Sequence, residues 1–187
     1  MLAHSGEAEK SAILGVACRS LEPAEDLRGS LCEVHRDEWG LAPRPVQWDF
    51  ITTKPRVLRG LHVHRLRHDY MITVGGYATI GLVDIRRQSP SFRRSMTIAV
   101  AGDRPQVIIV PPGVAHGIYT PGPMLYLYGL SNYYDGKDQL GCRFDDPALE
   151  IGWPDKEPIQ LPRDTRLPDL NTLLQEFEAA GGVGKGL

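Results

Sequence analysis

His62, His64 and His116 set the chemistry this chain can attempt. His62 and His64 stand two apart in a run, Val57 to His64, that reads as a β-strand. Side chains alternate across a strand, so both imidazoles project to one face while Leu61 and Val63 take the other. Asp69 follows after a turn with His68 beside it, and His116 stands in Pro111-Pro112-Gly113-Val114-Ala115-His116, at the head of a later strand. Imidazole exchanges protons near neutral pH, and imidazole with carboxylate also suits iron, manganese, zinc or nickel without choosing among them.

The elements that must position these groups are short strands. From Val46 to Leu130 the chain runs in stretches rich in Val, Ile, Thr and Tyr, each closed by Gly, Pro or Asp. Expected strands are Val46 to Thr52, Val57 to His64, Tyr70 to Val74, Tyr77 to Arg86, Ser95 to Val100, Val107 to Val110, Ala115 to Thr120 and Met124 to Leu130. Many short antiparallel strands imply an all-β sandwich, jelly roll or barrel. Gly75-Gly76, Gln88-Ser89-Pro90-Ser91, Ala101 to Pro105 and Pro121-Gly122-Pro123 supply the turns. Asp169 can cap a short C-terminal helix with Leu170, Leu173, Leu174 and Phe177 on one face, stopped at Gly181-Gly182.

The 187 residues, 42% hydrophobic and 24% charged, suit one domain over 1–187: a flexible tail over 1–12, a barrel core over 20–155, a helix-bearing segment over 156–180 and a tail over 181–187. A net charge of −2 gives no positive field for nucleic acid. Cys18, Cys32 and Cys142 are widely spaced and odd in number, which argues against a disulfide framework and for a reducing cytoplasm. No signal-peptide pattern or membrane-length apolar run is present, so no membrane partner is expected.

The spacing His62-x-His64, Asp69, Gly76, followed by Pro111-x-Gly113-x-x-His116, resembles the two motifs of the cupin superfamily. That resemblance implies a jelly-roll β-barrel and, in metal-binding members, two histidines, an acidic residue and a third histidine on one divalent ion. The pocket would lie inside the barrel, lined by His62, His64, His116 and Tyr128.

A longer set of ordered segments is more specific. Asp26-Leu27-Arg28-Gly29, Val57 to His62 through Arg59-Gly60-Leu61, Val83 to Phe92, Pro112 to Gly117, Leu127-Tyr128 with Asn132-Tyr133-Tyr134, and Asp145-Asp146-Pro147 with Ile151 to Pro154 together resemble the dTDP-4-dehydrorhamnose 3,5-epimerase family. The resemblance implies a homodimer that binds a nucleoside-diphosphate 4-keto-6-deoxy sugar and inverts carbons beside the ketone with no cofactor. It places the base on His62, the acid on Tyr128 and the carboxylate orienting the base on Asp164, which precedes Pro168 at the family's spacing. It also marks Arg28, Glu33, Gln47, Arg59, His116 and Tyr126 as candidate substrate contacts.

Two positions depart from that family. A lysine that would steady the enolate oxygen is replaced by Asp69, and a glutamine two residues after the base by His64. An anion beside a developing negative charge reverses the sign of the interaction. Both changes move toward the metal pattern, so the sequence raises a metal site of His62, His64, Asp69 and His116, holding Fe, Mn, Zn or Ni as the electrophile. A metal-bound His62 could not be a free base, leaving Tyr128, Tyr126 or His68 to move the proton. The readings are then an epimerase, a metal-dependent cupin of other chemistry, or a non-catalytic sugar-nucleotide binder.

Overall fold

A computed structural model describes residues 9–41 and 43–184. Its strands are β1 (Glu9–Lys10), β2 (Ala17–Ser20), β3 (Ala24–Asp26), β4 (Gly29–Leu31), β5 (Gln47–Thr53), β6 (Val57–Val63) and β7 (Asp69–Gly75). They continue as β8 (Tyr77–Asp84), β9 (Ser95–Ala101), β10 (Gln106–Val110), β11 (Val114–Thr120), β12 (Met124–Leu130) and β13 (Leu140–Gly141), before the helix α1 (Leu170–Ala179). The sheets run β1-β2-β10-β7-β12-β5 and β13-β6-β11-β8-β9, with β3-β4 a separate hairpin. The fold is the all-β jelly roll with a C-terminal helix that the strand pattern implies, and β5 to β12 match the expected strands.

Alternation along the strands divides the molecule into layers. Between the sheets, Met71, Ile108, Val110 and Tyr126 from one meet Ile80, Leu82, Val114 and Ile118 from the other. On the far side of the second sheet, Leu61, Val63, Val83, Ile85 and Ala115 pack against Leu170, Leu173, Leu174 and Phe177 of α1. The Asp169 side chain caps that helix by accepting from the Thr172 N–H at 2.7 Å. On the far side of the first sheet, Tyr70, Ile72, Val107 and Ile109 are covered by Leu21, Val34, Trp39 and Leu41. Burial of each such large apolar side chain contributes roughly 1.5–3 kcal/mol.

The N-terminal boundary differs from expectation. Glu9 and Lys10, placed by sequence in the flexible tail, pair with Cys18 and Ala17 of β2. An outer strand carries unpaired backbone groups, and a passing segment satisfies them whatever its side chains. The rest of that tail, 1–8, lies outside the described residues. No helix among the described residues is long and apolar enough to cross a membrane.

Two glycines bring strands close enough to shape the interior. Gly60 has φ +117°, and a Cβ there would lie 2.6 Å from the His116 carbonyl oxygen and 2.7 Å from Gly117 Cα. The same stretch carries a register shift, His116 facing His62 but Ile118 facing Arg59, which holds those two histidines opposite one another. Gly76 turns β7 into β8 at φ +81°, with Pro123 oxygen 2.4 Å from where a Cβ would stand.

Candidate active site

The interior that apolar residues do not fill is a cavity of about 770 Å³. Its wall includes His62 and His64 from β6, His116 from β11, Tyr126 and Tyr128 from β12, and Gln47 and Asp49 from β5. Arg59, Arg67 and Asp164 add to the polar part, with Lys54 and Arg163 also on the wall. The strands fix this grouping: Tyr128 faces Asp49 across one ladder and Met71 across the other. Period-2 alternation then turns the neighbouring side chains inward together.

His62 pairs with Asp164, Nε2 to Oδ1 at 2.9 Å, and Asp164 is 3% exposed. Ionised Asp164 can only accept, so Nε2 carries the hydrogen and the neutral ring keeps its lone pair on Nδ1. Nδ1 has no protein partner among the described residues. This is the geometry of an oriented general base. Asp164 stands in a short turn, Asp164–Arg166, well after the barrel, and its hydrogen bond ties that segment to β6.

A second cluster surrounds Asp69, which is 1% exposed and lies behind the cavity wall rather than on it. Its Oδ2 accepts from Tyr128 Oη at 2.7 Å and lies 3.0 Å from His116 Nε2. Its Oδ1 accepts from Arg67 Nε at 3.0 Å. Arg67 Nη2 also donates to His64 Nε2 at 2.9 Å, while His64 Nδ1 donates to the Asp138 carbonyl. His64 is thus a neutral ring whose two nitrogens are both engaged, and its 3.3 Å approach to Asp69 Oδ2 sets two acceptors side by side. His116 Nδ1 faces the Val114 carbonyl at 3.1 Å, so the ring serves both Val114 and Asp69 only with hydrogen on both nitrogens.

Charge follows from this packing. Burial alone would push the Asp69 carboxyl up, but His64, His116 and Arg67 together hold it below the usual carboxylate range. Burial and then the Asp69 charge push the Tyr128 phenol well above its ordinary value, so it stays protonated at neutral pH. Burial pushes His64 down to about 4 from 6.5, outweighing the attraction of Asp69. Between those two pH values the unfolded chain binds a proton that the folded ring refuses. Stability should therefore fall as pH drops through that window, by about 3 kcal/mol for this one group. Burial lowers His68 as well, with the same sign. Urea unfolding at pH 7 and pH 5 checks this, a His64→Gln variant being expected to give the shallower pH slope.

The structure redistributes several of the residues singled out by sequence. Only three of the four expected metal ligands converge, with ligand atoms of His64, Asp69 and His116 within 4.8 Å of one another. His62 is outside the cluster because Asp164 holds its ring. The three also do not fit an ion as they stand, since Arg67 already occupies the His64 lone pair and one Asp69 oxygen, placing a cation where the metal would sit. His68 is not on the cavity wall. Arg28 pairs with Asp26 at 2.6 Å on the exposed β3-β4 hairpin, and Glu33 pairs with Arg36 at 2.8 Å beside a separate cavity of about 410 Å³. Gln47, Arg59, His116 and Tyr126 do reach the main cavity.

Sequence reading missed Arg67 and Asp138. Arg67 sits in a bend, where no strand period marks its direction, although its place two residues before Asp69 would carry it to the same face if β7 were extended. Asp138 latches that bend: its carboxylate accepts from the backbone of Arg65 at 2.8 Å and of Leu66 at 3.0 Å. No spacing rule links a loop carboxylate to a bend 72 residues away.

Comparison with known proteins agrees with this architecture. The family model described as dTDP-4-dehydrorhamnose 3,5-epimerase matches residues 10–172. The dTDP-4-dehydrorhamnose 3,5-epimerase of Escherichia coli K12 is 30% identical over 135 residues, 70% of this chain and 73% of that protein. The rmlC epimerase of Mycobacterium tuberculosis superposes with a TM-score of 0.84 at 25% identity, covering 94% of this chain and 92% of its own. A dTDP-6-deoxy-D-glucose-3,5-epimerase from Legionella pneumophila Philadelphia 1, solved in complex with dTDP-4-keto-L-rhamnose, gives 0.81 at 25% identity, covering 88% of this chain and 93% of its own. With an oriented histidine from one sheet and a half-buried tyrosine from the other on its cavity wall, and matched along most of its length, this chain belongs to the dTDP-4-dehydrorhamnose 3,5-epimerase family.

Proposed function

We propose that the chain is an isomerase that inverts a carbon beside the ketone of a dTDP-linked 4-keto-6-deoxy sugar, by proton removal and return, without a metal. The observation that carries this reading is the His62–Asp164 pair on the wall of a cavity large enough for a sugar. A hydrogen beside a ketone is acidic because its electron pair can pass into an enolate. His62 Nδ1 takes that proton, and Asp164 stabilises the imidazolium that results. Tyr128, kept protonated by its surroundings, returns a proton from the opposite wall. Arg59 suits the diphosphate, while Gln47 and Tyr126 suit the sugar.

Arg28 and Glu33 fit the same reading only through a second copy. The hairpin that carries Arg28 stands out from the molecule with Leu27 fully exposed, as a homodimer arm reaching a neighbouring site would. Cytoplasmic residence accords with three cysteines, Cys18, Cys32 and Cys142, that are odd in number and widely spaced along the chain.

Incubation with a dTDP-4-keto-6-deoxy sugar in deuterated water tests the proposal. Chelator-treated protein, sedimenting as a dimer and free of stoichiometric metal, should incorporate deuterium beside the ketone and yield the inverted product. Exchange that requires an added divalent ion would move the chain to a metal-dependent chemistry. Tight binding of the nucleotide sugar with no exchange would make it a binding homologue.

A further inference from the structure

Removing a proton beside a ketone leaves a negative charge on the ketone oxygen, and a site that speeds this step holds a fixed positive group there. Asp69 stands where a cation is expected, yet its charge does not face the cavity. Four groups that do line the cavity, Tyr128, His116, Arg67 and His64, lie between it and the open space, and the first three bind its oxygens. Arg67 is fixed at two points, Nε on Asp69 and Nη2 on His64, while Nη1 has no protein acceptor among the described residues. The Tyr134 ring covers the guanidinium, 5.6 Å from its central carbon to the ring centroid. A buried guanidinium on a polar cavity wall, held through Nε and Nη2 with Nη1 unclaimed among the described residues, is a preformed anion site.

We infer that Arg67 is the catalytic electrophile of this enzyme: its outer edge hydrogen-bonds the substrate ketone oxygen and stabilises the enolate formed when His62 takes the adjacent proton. The proton passes from carbon to His62 Nδ1, the C–H electron pair moves into the enolate, and the pair returns to carbon when the proton is replaced. His64 and Asp69 aim the guanidinium and act through it. This assignment rests on the isomerase reading above and deepens it.

Arg67→Met in the full-length protein separates the two. Wild-type enzyme must first exchange deuterium beside the ketone; if it does not, the isomerase reading fails together with this assignment. If it does, the variant should lose about 10²- to 10³-fold in exchange turnover, the cost of removing one oxyanion donor, while its affinity for dTDP stays within about threefold. Added methylguanidinium should restore part of the rate, which a merely structural ion pair would not allow. Exchange within about threefold of wild type, or a loss that methylguanidinium leaves unchanged in a folded variant, overturns the assignment. Should the variant not fold, infrared spectra of the ketone bound to His62→Asn protein, which retains Arg67, decide the matter. A carbonyl stretch at lower frequency than in water supports the assignment, and an unshifted one refutes it.

Discussion

His62→Asn protein should keep its fold and its affinity for a dTDP-sugar but lose about 10²- to 10⁴-fold in the rate of deuterium exchange beside the ketone, the usual worth of a positioned general base. The ring is partly open to the cavity and its Nδ1 carries no protein hydrogen bond among the described residues, so little packing is lost with it. Turnover should fall while KM stays within a few fold, because a base acts in the transition state more than in binding. Stopped exchange kinetics followed by mass spectrometry, with a thermal melt as control, provide the check. A variant exchanging near the wild-type rate would move the base to another group on the cavity wall.

Asp164→Asn is expected to cost nearly as much although residue 164 touches no substrate. Asparagine is close to isosteric with aspartate, but its amide offers a donor as well as an acceptor. If the amide nitrogen faces His62, the ring must hold its hydrogen on Nδ1, and the lone pair is turned away from the cavity. If the amide oxygen faces it, the tautomer is right but the imidazolium has lost its counter-charge. Both outcomes slow proton removal, and a fall of about 10²- to 10⁴-fold in exchange turnover follows. The kinetic pattern separates this role from simple packing. At saturating substrate the loss should appear in turnover with KM within a few fold of wild type and the thermal melt unchanged, across the pH range assayed.

Much of this organisation can be read in the chain itself. The strands β5 to β12 announce themselves because each is long enough for alternation to repeat and most are closed within two residues by Gly, Pro or Asp. The shared face of His62 and His64 follows from period 2, and the Arg59-Gly60-Leu61-His62 motif carries the glycine inside β6 where an added Cβ would collide with β11. The strands β1 to β4 and β13 are invisible at that level, being two to four residues long and held mainly by backbone pairing.

Charge at Asp69 shows where local reading fails. Taken alone, an anion at that position opposes an enolate. In the fold it is compensated by Arg67 and His116 and withdrawn behind the groups it holds. Its sign therefore does not reach the substrate unopposed. The same spacing that suggested a metal site at His62, His64, Asp69 and His116 instead serves two separate networks, because Asp164, 102 residues from His62, claims that ring. Contacts of that sequence separation are set by tertiary packing, which strand periodicity does not encode.

The most direct measurement is a crystal structure of the His62→Asn protein with an intact dTDP-4-keto-6-deoxy sugar bound. A sugar ring lying in the cavity with a carbon beside the ketone about 3–3.5 Å from the side chain at position 62, its ketone oxygen on the Arg67 guanidinium and Tyr128 on the opposite face, is the predicted result. A sugar bound away from position 62, or with its ketone turned from both side chains, would contradict the account.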